Sequence, residues 1–188
     1  METLMYRTYA EDAIAKRAAE VLQDGKLVIY PTDTVYGLGA DAANPKAVEA
    51  VLVLKRRLLE QPISVLVADF AMLKRWAVMN PKQEKYVKER LPGAWTFVLK
   101  PKKKMPVSAG SVGFRMPDHW CRGIAKALGR PVTSTSANIH GSSTPHSTFE
   151  LKQLFGEKIA LYIDGGKLTG QPSQVVDMTV QPPHVIRE

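Results

Sequence analysis

The sequence is 188 residues long, with 45% hydrophobic and 23% charged residues, and no apolar run approaches the length of a membrane span. This composition predicts one globular domain, residues 1–188, without a membrane-spanning helix. The first residues lack the continuous apolar region of a signal peptide. Cys121 is the only cysteine, so no internal disulfide can form, and both observations favour the cytoplasm.

The chain is basic, with a formal net charge of +8 and a pI of about 9.6. Such a charge favours polyanionic partners, either nucleotide phosphates or nucleic acid. The densest basic run is KPKKK, residues 100–104, which lies between a predicted strand and a proline-containing turn. Two interpretations of this run stay open: a solvated loop, or a patch that touches RNA.

Helices and strands alternate along the first half of the chain. A helix over residues 10–24 carries its apolar residues on one face and stops before Gly25. Asparagine followed by proline, a cap and first-turn pair, occurs twice and predicts helices over about 44–55 and 80–91. Two short apolar runs predict buried strands: KLVIY at 26–30 and PISVLV at 62–67.

The second half predicts more strands than helices. A helix opens at Pro117–Asp118 and runs to about Leu128, and Ser147 with Glu150 has the spacing of a capping box. The last strands follow one another without helices, so part of the sheet is expected to be antiparallel. The predicted fold class is α/β: a single domain with a twisted, mixed parallel and antiparallel sheet flanked by helices. The apolar runs that predict these strands are WTFVLK (95–100), VGFR (112–115), RPVTST (130–135), IALYID (159–164), SQVVDMTV (173–180) and HVIR (184–187).

The stretch VIYPTDTVYGLGADA, residues 28–42, is the first candidate for a ligand site. Hydroxyl and acidic side chains follow a buried strand, where open α/β sheets bind ligands, and Gly37 and Gly39 let a ligand approach the backbone. The alternative is that threonine and aspartate only satisfy turn backbone. The glycines fit G-x-G-x-x-A, but six residues separate them from the strand, so a nicotinamide site is not favoured.

Two further clusters have the same character. Lys55-Arg56-Arg57 ends a helix, and STSANIHG, residues 134–141, gathers hydroxyls, an amide and a glycine after a strand. Each has a plain alternative, a solvated helix end and a polar turn. The chain has no P-loop motif, and its histidines show no metal-ligand spacing, so no protein-bound metal site is predicted. If the clusters are functional, we expect the three loops to converge on one crevice.

Together these motifs resemble the YrdC/TsaC family. YPTDTVYGLGADA, QPISVLV, LPGAWTFVLK, VGFRMPDH, STSANIHG and PSQVVDMTVQPPHVIR occur in the family's order and spacing, from about residue 10 to Arg187. The resemblance implies a YrdC-like fold and a nucleotidyltransferase that makes threonylcarbamoyl-AMP from L-threonine, bicarbonate and ATP, releasing pyrophosphate. It also implies a partner complex that transfers the threonylcarbamoyl group to a tRNA adenosine.

The same resemblance implies roles for particular residues. Lys55 and Arg57 are the expected catalytic cations, because adenylyl transfer depends on positioning and charge neutralisation. Mg²⁺ is expected to be held mainly by the ATP phosphates and water. Arg115 offers a planar, bidentate donor to the threonine carboxylate. The implied ATP-binding residues are Lys55, Arg57, Ser111, Ser134, Ser136, Asn138, Thr144 and Arg187, and the implied threonine-binding residues are Thr32, Arg115 and Ser173.

The sequence departs from the family pattern at three places. Where relatives often read Lys-Gly-Arg-Pro, this chain has Lys-Arg-Arg-Leu at residues 55–58; Leu66 replaces a frequent histidine; and Ser173 keeps the serine of Glu-Ser-Thr without its neighbours. These departures leave open a paralogue that acts on a different carbamoyl adenylate. The charge leaves open an RNA-binding protein without catalysis, whose partner is double-stranded RNA or tRNA.

Overall fold

Two β-sheets, rather than the single sheet that the sequence predicts, form the framework of the protein. The structure is a computed structural model that describes residues 1–6, 9–57 and 63–187. Both sheets contain parallel and antiparallel pairs, and helices flank them, so the predicted mixed α/β class is confirmed. The strands are β1 (Glu2–Met5), β2 (Val28–Tyr30), β3 (Gly37–Gly39), β4 (Val65–Leu66), β5 (Trp95–Leu99), β6 (Val112–Arg115), β7 (Val132–Thr133), β8 (Thr135–Ser136), β9 (Leu161–Asp164), β10 (Gln174–Asp177) and β11 (His184–Arg187).

The strand orders place sequence-distant segments side by side. The five-stranded sheet runs β1-β9-β2-β3-β8, and the six-stranded sheet runs β11-β10-β5-β6-β4-β7. The hairpin of β10 and β11 is antiparallel, as expected from strands that follow one another without a helix. The helices are α1 (Glu11–Gln23), α2 (Pro45–Lys55), α3 (Phe70–Trp76), α4 (Pro81–Lys88), α5 (Arg122–Leu128) and α6 (Thr148–Phe155), followed by a 3₁₀ turn (Gly156–Lys158).

Side-chain caps start the helices where the sequence predicts them. Asn44 accepts hydrogen bonds from the first backbone amides of α2, and Asn80 forms a complete capping box with Gln83 at the start of α4. Ser147 also caps its helix, but the Glu150 carboxylate accepts from the His146 amide instead, so the box there is only half formed. Local capping chemistry therefore sets these helix starts.

Several expected boundaries were wrong. The helix expected from Pro117 begins only at Arg122, because residues 118–121 form a turn in which Trp120 stacks on Tyr6 with ring centroids 5.2 Å apart. Helix α3 was not predicted, although Asp69 caps it by accepting from Met72 N at 2.7 Å. Strands β1 and β3 were not predicted either, because their pairing partners lie far away in the sequence.

Gly37 and Gly39 serve packing rather than the expected approach to a ligand. Both lie in β3, which pairs with β2, and a Cβ atom at Gly37 or Gly39 would come within 2.9 or 2.8 Å of the Tyr30 ring. Real Cβ atoms do not come that close, so only glycine lets the fully buried ring lie flat across the strand. This requirement corrects the prediction that the two glycines face a ligand.

The two sheets meet where the chain passes from β7 to β8. The Thr133 hydroxyl donates to Leu38 O at 2.9 Å and accepts from Ala40 N at 2.8 Å, while Tyr30 Oη donates to Thr133 O at 2.9 Å. On the other side, Ser134 N donates to Ser64 O at 2.7 Å. Residues 133–134 therefore join the end of one sheet to the end of the other. None of the helices in the described ranges has the length and apolarity needed to cross a bilayer.

Candidate active site

A cavity of about 400 Å³ opens at this junction, and all three candidate loops reach it. Thr34 and Val35 come from the first loop, Lys55 and Arg57 from the end of α2, and residues 134–138 from the third. Strands β5, β6, β10 and β11 of the six-stranded sheet line the rest of its wall. The predicted residues that line the cavity are Lys55, Arg57, Arg115, Ser134, Ser136, Asn138, Ser173 and Arg187.

Lys55 is a buried cation, with only 2% of its surface exposed. Its Nζ donates to Ser136 O at 2.6 Å, to Asn138 O at 2.9 Å and to Asn138 Oδ1 at 3.0 Å. An ammonium group has three protons, so each has an acceptor. Burial, and then the nearby Arg57 charge, lowers the pKa of Lys55 to about 8. Lys55 thus holds the third loop in place and puts its charge at the cavity wall.

The third loop is also tied internally. Ser136 Oγ donates to Asn138 Oδ1 at 2.7 Å, and Asn138 Nδ2 donates to Ser142 O at 2.7 Å. The His140 amide donates to Lys55 O at 2.9 Å, which joins this loop to the end of α2. The result is a rigid rim of hydroxyl and amide groups beside two cations. Such a rim suits a phosphate group because the positive charges of Lys55 and Arg57 are already in place beside it.

Arg57 follows α2 and lines the same end of the cavity as Lys55. Burial lowers the pKa of its guanidinium from the ordinary value. Leu58, the other departure of this segment, lies outside the described residues. Arg56 between the two lining cations is exposed and has φ of 50°, a left-handed conformation that favours glycine. Arginine in place of the family's glycine therefore affects the turn after α2 and not the lining of the cavity.

Arg115 is held by the first loop. Its Nη2 donates to Asp33 Oδ1 at 3.2 Å and to Thr34 Oγ1 at 3.1 Å, and its Nη1 lies 3.5 Å from Ser134 Oγ. Arg115 and Asp33 are 7% and 14% exposed at their side chains, so water screens this ion pair little. The pair fixes the plane of the guanidinium against the cavity wall, which prepares it for a planar anion such as a carboxylate.

Ser173 and Arg187 meet beside Thr96, the residue of β5 that pairs with Arg115 of β6. The Arg187 guanidinium donates to Ser173 O at 3.0 and 2.7 Å, and the Ser173 and Thr96 hydroxyls lie 2.7 Å apart. Burial, and then the Arg115 charge, lowers the pKa of Arg187 from its ordinary value. Val98, Val175 and Ile186 add apolar surface beside them. This end combines hydroxyls with an apolar wall.

The segment 165–173 carries Ser173 to the cavity across the first loop. Tyr36 Oη donates to Gly166 O at 2.7 Å and accepts from Gly165 N at 3.0 Å. A Cβ atom at Gly170 would collide with the backbone carbonyl of Thr34, so the two segments are in direct contact there. Tyr36 therefore anchors this segment to the first loop.

Three predicted residues are not among the described residues that line the cavity: Thr32, Ser111 and Thr144. Thr32 is buried, and its hydroxyl donates to Val35 O at 2.7 Å and accepts from Thr34 N at 3.1 Å. It shapes the turn that presents Thr34 to the cavity. Ser111 precedes β6, and Thr144 follows the third loop. The substrate contacts predicted for these three residues stay predictions.

Other lining residues were missed by sequence reasoning: Ser64, Thr96, Gly113 and His140. Thr34 belongs to the first candidate stretch, but no contact was assigned to it. Thr96 had a signal, because it is a polar residue inside an apolar strand, where alternate side chains share a face. Gly113 gave no signal in the sequence. Its place at the cavity is a matter of space, because a Cβ atom there would lie 2.7 Å from Ser64 Oγ and 2.9 Å from Thr96 Cγ2. Leu66, the replacement for histidine, is fully buried in β4, beside Arg115 of β6, and is not among the lining residues.

The groups at the cavity do not suit a protein-bound metal. Within the described residues, no three histidine, cysteine, aspartate or glutamate side chains are placed to hold a metal ion. The described lining has cations, hydroxyls and amides but no carboxylate. Hard divalent cations prefer carboxylate and other oxygen ligands, so this lining fits the anionic phosphates themselves and fits a magnesium ion only together with them.

The fold and the cavity define an α/β domain with a cation-lined cavity where two sheets meet. The family model Sua5_yciO_yrdC, described as "Telomere recombination", matches residues 20–188. The chain therefore belongs to the Sua5/YciO/YrdC family, as the sequence motifs predict.

Three relatives show the range of this similarity. Threonylcarbamoyl-AMP synthase of Pyrococcus abyssi is 36% identical over 177 residues, 90% of this chain and 52% of that one. P. abyssi Sua5 complexed with L-threonine superposes with a TM-score of 0.89 at 32% identity, covering 99% of this chain and 56% of that one. Escherichia coli YciO superposes with a TM-score of 0.88 at 26% identity, covering 100% and 94%. The chain thus spans about half the length of the P. abyssi relatives.

Proposed function

We propose that this protein is a threonylcarbamoyl-AMP synthase, a nucleotidyltransferase that joins L-threonine, bicarbonate and ATP and releases pyrophosphate. The observation that carries the proposal is that one cavity holds both a cationic rim, with Lys55 and Arg57, and a pre-oriented guanidinium, Arg115. The reaction needs a triphosphate and an amino acid side by side. The synthase name of one relative and the bound L-threonine of another support the same reaction.

The triphosphate is assigned to the cationic rim. Lys55 and Arg57 neutralise the charge that gathers on pyrophosphate as it leaves, and the hydroxyl and amide of Ser136 and Asn138 hold the phosphates in register. Magnesium, when bound with ATP, supplies further charge neutralisation there. Ser134 and Arg187 also lie at the cavity and complete the nucleotide contacts, with Ser111 and Thr144 proposed as outer contacts.

Threonine is assigned to the other side of the cavity. Arg115 binds the carboxylate, Ser173 contacts the same substrate, and the turn that Thr32 stabilises presents Thr34 to it. The threonine amine combines with bicarbonate, losing water, to give a carbamate. A carbamate oxygen then forms a bond to the α-phosphorus while the bond from that phosphorus to the pyrophosphate oxygen breaks. The carbamate already carries negative charge, so we assign no general base.

The product is a mixed anhydride that water hydrolyses, so another protein has to use it soon after it leaves the cavity. We assign its use to a partner complex that transfers the threonylcarbamoyl group to a tRNA adenosine. ATP, threonine and tRNA occur together in the cytoplasm, and the single cysteine, Cys121, is free and buried, as a reducing compartment allows. We therefore place the reaction in the cytoplasm.

One observation favours a second candidate within the same fold. Leu66, which departs from the family pattern, lies beside Arg115, the residue assigned to threonine. The second candidate is a paralogue that forms a different carbamoyl adenylate in the same cavity. An RNA-binding protein without catalysis is less well supported, because it leaves the cationic rim and Arg115 without a ligand.

The test is direct product detection. Purified protein is incubated with ATP, Mg²⁺, bicarbonate and each of several amino acids, and mass spectrometry looks for the mixed anhydride as each component is omitted. We expect it only with threonine and only with all components. Anhydride formation with another amino acid, but not threonine, would favour the paralogue, and none with any amino acid would contradict both enzymatic candidates.

Two variants and a control link the product to the cavity. Lys55→Met and Arg57→Met should each reduce product formation at least a hundredfold, because loss of one charge-stabilising group costs about 2.7–4 kcal/mol in comparable sites. Lys46→Met, at an exposed position in the first turn of the same helix, should leave the rate unchanged. Near-normal rates in both cavity variants would remove the phosphate assignment.

A further inference from the structure

The net positive charge of the chain is concentrated in one segment. Residues 70–104 contain ten of the 26 lysines and arginines but only two of the 18 aspartates and glutamates, which gives this segment a net charge of +8. The other 153 residues contain 16 of each sign and are neutral overall. The net positive charge of the protein therefore comes from about a fifth of its length. Lys55 and Arg57, the cations of the cavity rim, lie outside this segment.

Contacts gather this segment into one surface, the basic face, formed by α3, α4 and residues 100–104. An antiparallel bridge joins Ala77 to Pro101, and Lys102 N donates to Trp76 O at 2.8 Å, so the basic run lies beside the end of α3. Lys103 Nζ lies 4.2 Å from the centre of the Trp76 ring. Helices α3 and α4 are themselves joined, because Lys88 Nζ lies 5.7 Å from the centre of the Phe70 ring.

Most cations of the basic face are exposed and lack acidic partners. Its two glutamates are already paired, Glu84 with Lys74 at 2.9 Å and Glu89 with Arg90 at 3.5 Å. The other eight cations have no carboxylate within 4.0 Å among the residues that the structure describes, and all eight are exposed. They are Arg75, Lys82, Lys85, Lys88, Lys100, Lys102, Lys103 and Lys104.

The basic face lies across the six-stranded sheet from the cavity. Thr96 and Val98 of β5 line the cavity, whereas Phe97 between them packs edge-on against Tyr86 of α4 with ring centroids 6.1 Å apart. Alternate residues of a strand point to opposite faces, so α4 and the cavity are on opposite sides. None of the ten cations is among the described residues that line the cavity. A ligand of the basic face therefore does not compete with ATP.

We propose that the basic face binds the phosphate backbone of structured RNA, at a site separate from the cavity. Eight cations without carboxylate partners, on two helices and one loop, match the sequence-independent charge of a nucleic-acid backbone, which gains affinity from counterion release. The choice of RNA over another nucleic acid rests on the proposed function, whose acceptor is a tRNA. The cationic surface itself does not depend on it.

An anionic membrane surface is a poorer match. Peripheral membrane binding combines basic residues with large apolar side chains that enter the lipid. Of the large apolar side chains exposed in the described part of the chain, only Val78 belongs to residues 70–104. Because the basic face has no apolar anchor, it can bind a partner only through charge. A nucleic acid, whose phosphates are fully exposed, fits this requirement.

The test measures binding of the full chain to a tRNA transcript by fluorescence anisotropy at several salt concentrations. The triple variants Lys102→Gln/Lys103→Gln/Lys104→Gln and Lys82→Gln/Lys85→Gln/Lys88→Gln should each weaken binding about tenfold at low salt. Each should also reduce the slope of log affinity against log salt by about 2.7, since each of the three lost phosphate contacts contributes about 0.9 to it on a duplex. The control is Lys16→Gln/Lys126→Gln/Lys158→Gln, which removes the same charge from exposed sites elsewhere and should change affinity less than twofold.

The outcomes separate this proposal from the proposed function. Equal loss in the control and in both triple variants would overturn it, because only net charge would then matter. Binding to phosphatidylserine vesicles or poly-L-glutamate at least as tight as to tRNA, and weakened by the same substitutions, would overturn RNA as the partner. Lys55→Met should bind tRNA normally, so failure of catalysis leaves the RNA result intact, and the basic-face variants should form the adenylate at the normal rate.

Discussion

At the scale of single residues, the candidate site depends on cations that the protein itself has oriented. Lys55 holds three acceptors of the third loop, and Arg115 is held by Asp33 and Thr34. Neither arrangement was predicted, because the partners lie about 80 residues away in the sequence. The residue types were predictable from the motifs; their mutual contacts were not.

The lowered pKa of Lys55 predicts how nucleotide binding depends on pH. The charged ammonium form attracts phosphate, and burial with the Arg57 charge lowers its pKa in the free protein to about 8. ATP affinity should therefore be constant up to about pH 8 and then fall, approaching tenfold per pH unit, because binding must return the lost proton. Calorimetric titration across this range checks it.

The control for this dependence keeps the positive charge at all pH values. Lys55→Arg should remove the break near pH 8, because a guanidinium stays protonated throughout this range. The same break in both proteins would assign it to another group and contradict the role given to Lys55.

A second prediction at this scale concerns the ion pair of Arg115. Asp33→Asn keeps the shape of the side chain but removes the charge that orients the guanidinium. The KM for threonine should rise about tenfold, equivalent to about 1.4 kcal/mol, while the KM for ATP changes little. Steady-state kinetics with each substrate varied in turn measures both, and Asp118→Asn, exposed at the surface, is the matched control. Equal effects on both substrates would contradict the assignment of Arg115 to threonine.

At the scale of elements, caps and turns account for what was predicted. Asn44 and Asn80 start helices α2 and α4 at the expected residues, because a capping side chain acts within a single turn of backbone. The helix expected from Pro117 begins later than predicted, because Trp120 stacks on Tyr6, which lies more than 100 residues away in the sequence. Local signals thus hold until a tertiary contact competes with them.

The end of α2 provides a prediction about stability. Arg56 has φ of 50°, where a side chain costs about 1–2 kcal/mol and glycine costs nothing in steric strain. Allowing for the greater freedom of glycine in the unfolded chain, Arg56→Gly should stabilise the protein by about 0.5–1 kcal/mol and raise its Tm by about 1–4 °C. Thermal unfolding followed by circular dichroism measures the shift.

A matched arginine shows whether position or residue type is responsible. Arg75→Gly removes the same side chain from within helix α3, where glycine is unfavourable, and should lower the Tm. Destabilisation of the protein by both changes would contradict the conformational argument at Arg56.

At the scale of the whole molecule, the site exists because two sheets meet at residues 133–134. The Thr133 hydroxyl both donates to Leu38 O and accepts from Ala40 N, and the residue is fully buried. Thr133→Val keeps the shape but leaves two backbone groups unpaired, so we expect a loss of about 1–3 kcal/mol in the free energy of unfolding. Urea denaturation measures it, and Thr169→Val, at an exposed site, should be nearly neutral. A neutral result for Thr133→Val would show that the junction does not depend on this hydroxyl.

The sequence by itself determined the α/β class, most helix and strand positions, the family and the three loops that matter, because periodicity, caps and motif spacing act over short stretches of chain. The tertiary structure alone decided that there are two sheets, that Thr34 lines the cavity where Thr32 was expected, and that Asp33 orients Arg115. These features depend on side chains from opposite ends of the chain meeting in space. The register of two-residue strands such as β7 and β8 is set by those meetings, and no local pattern encodes them.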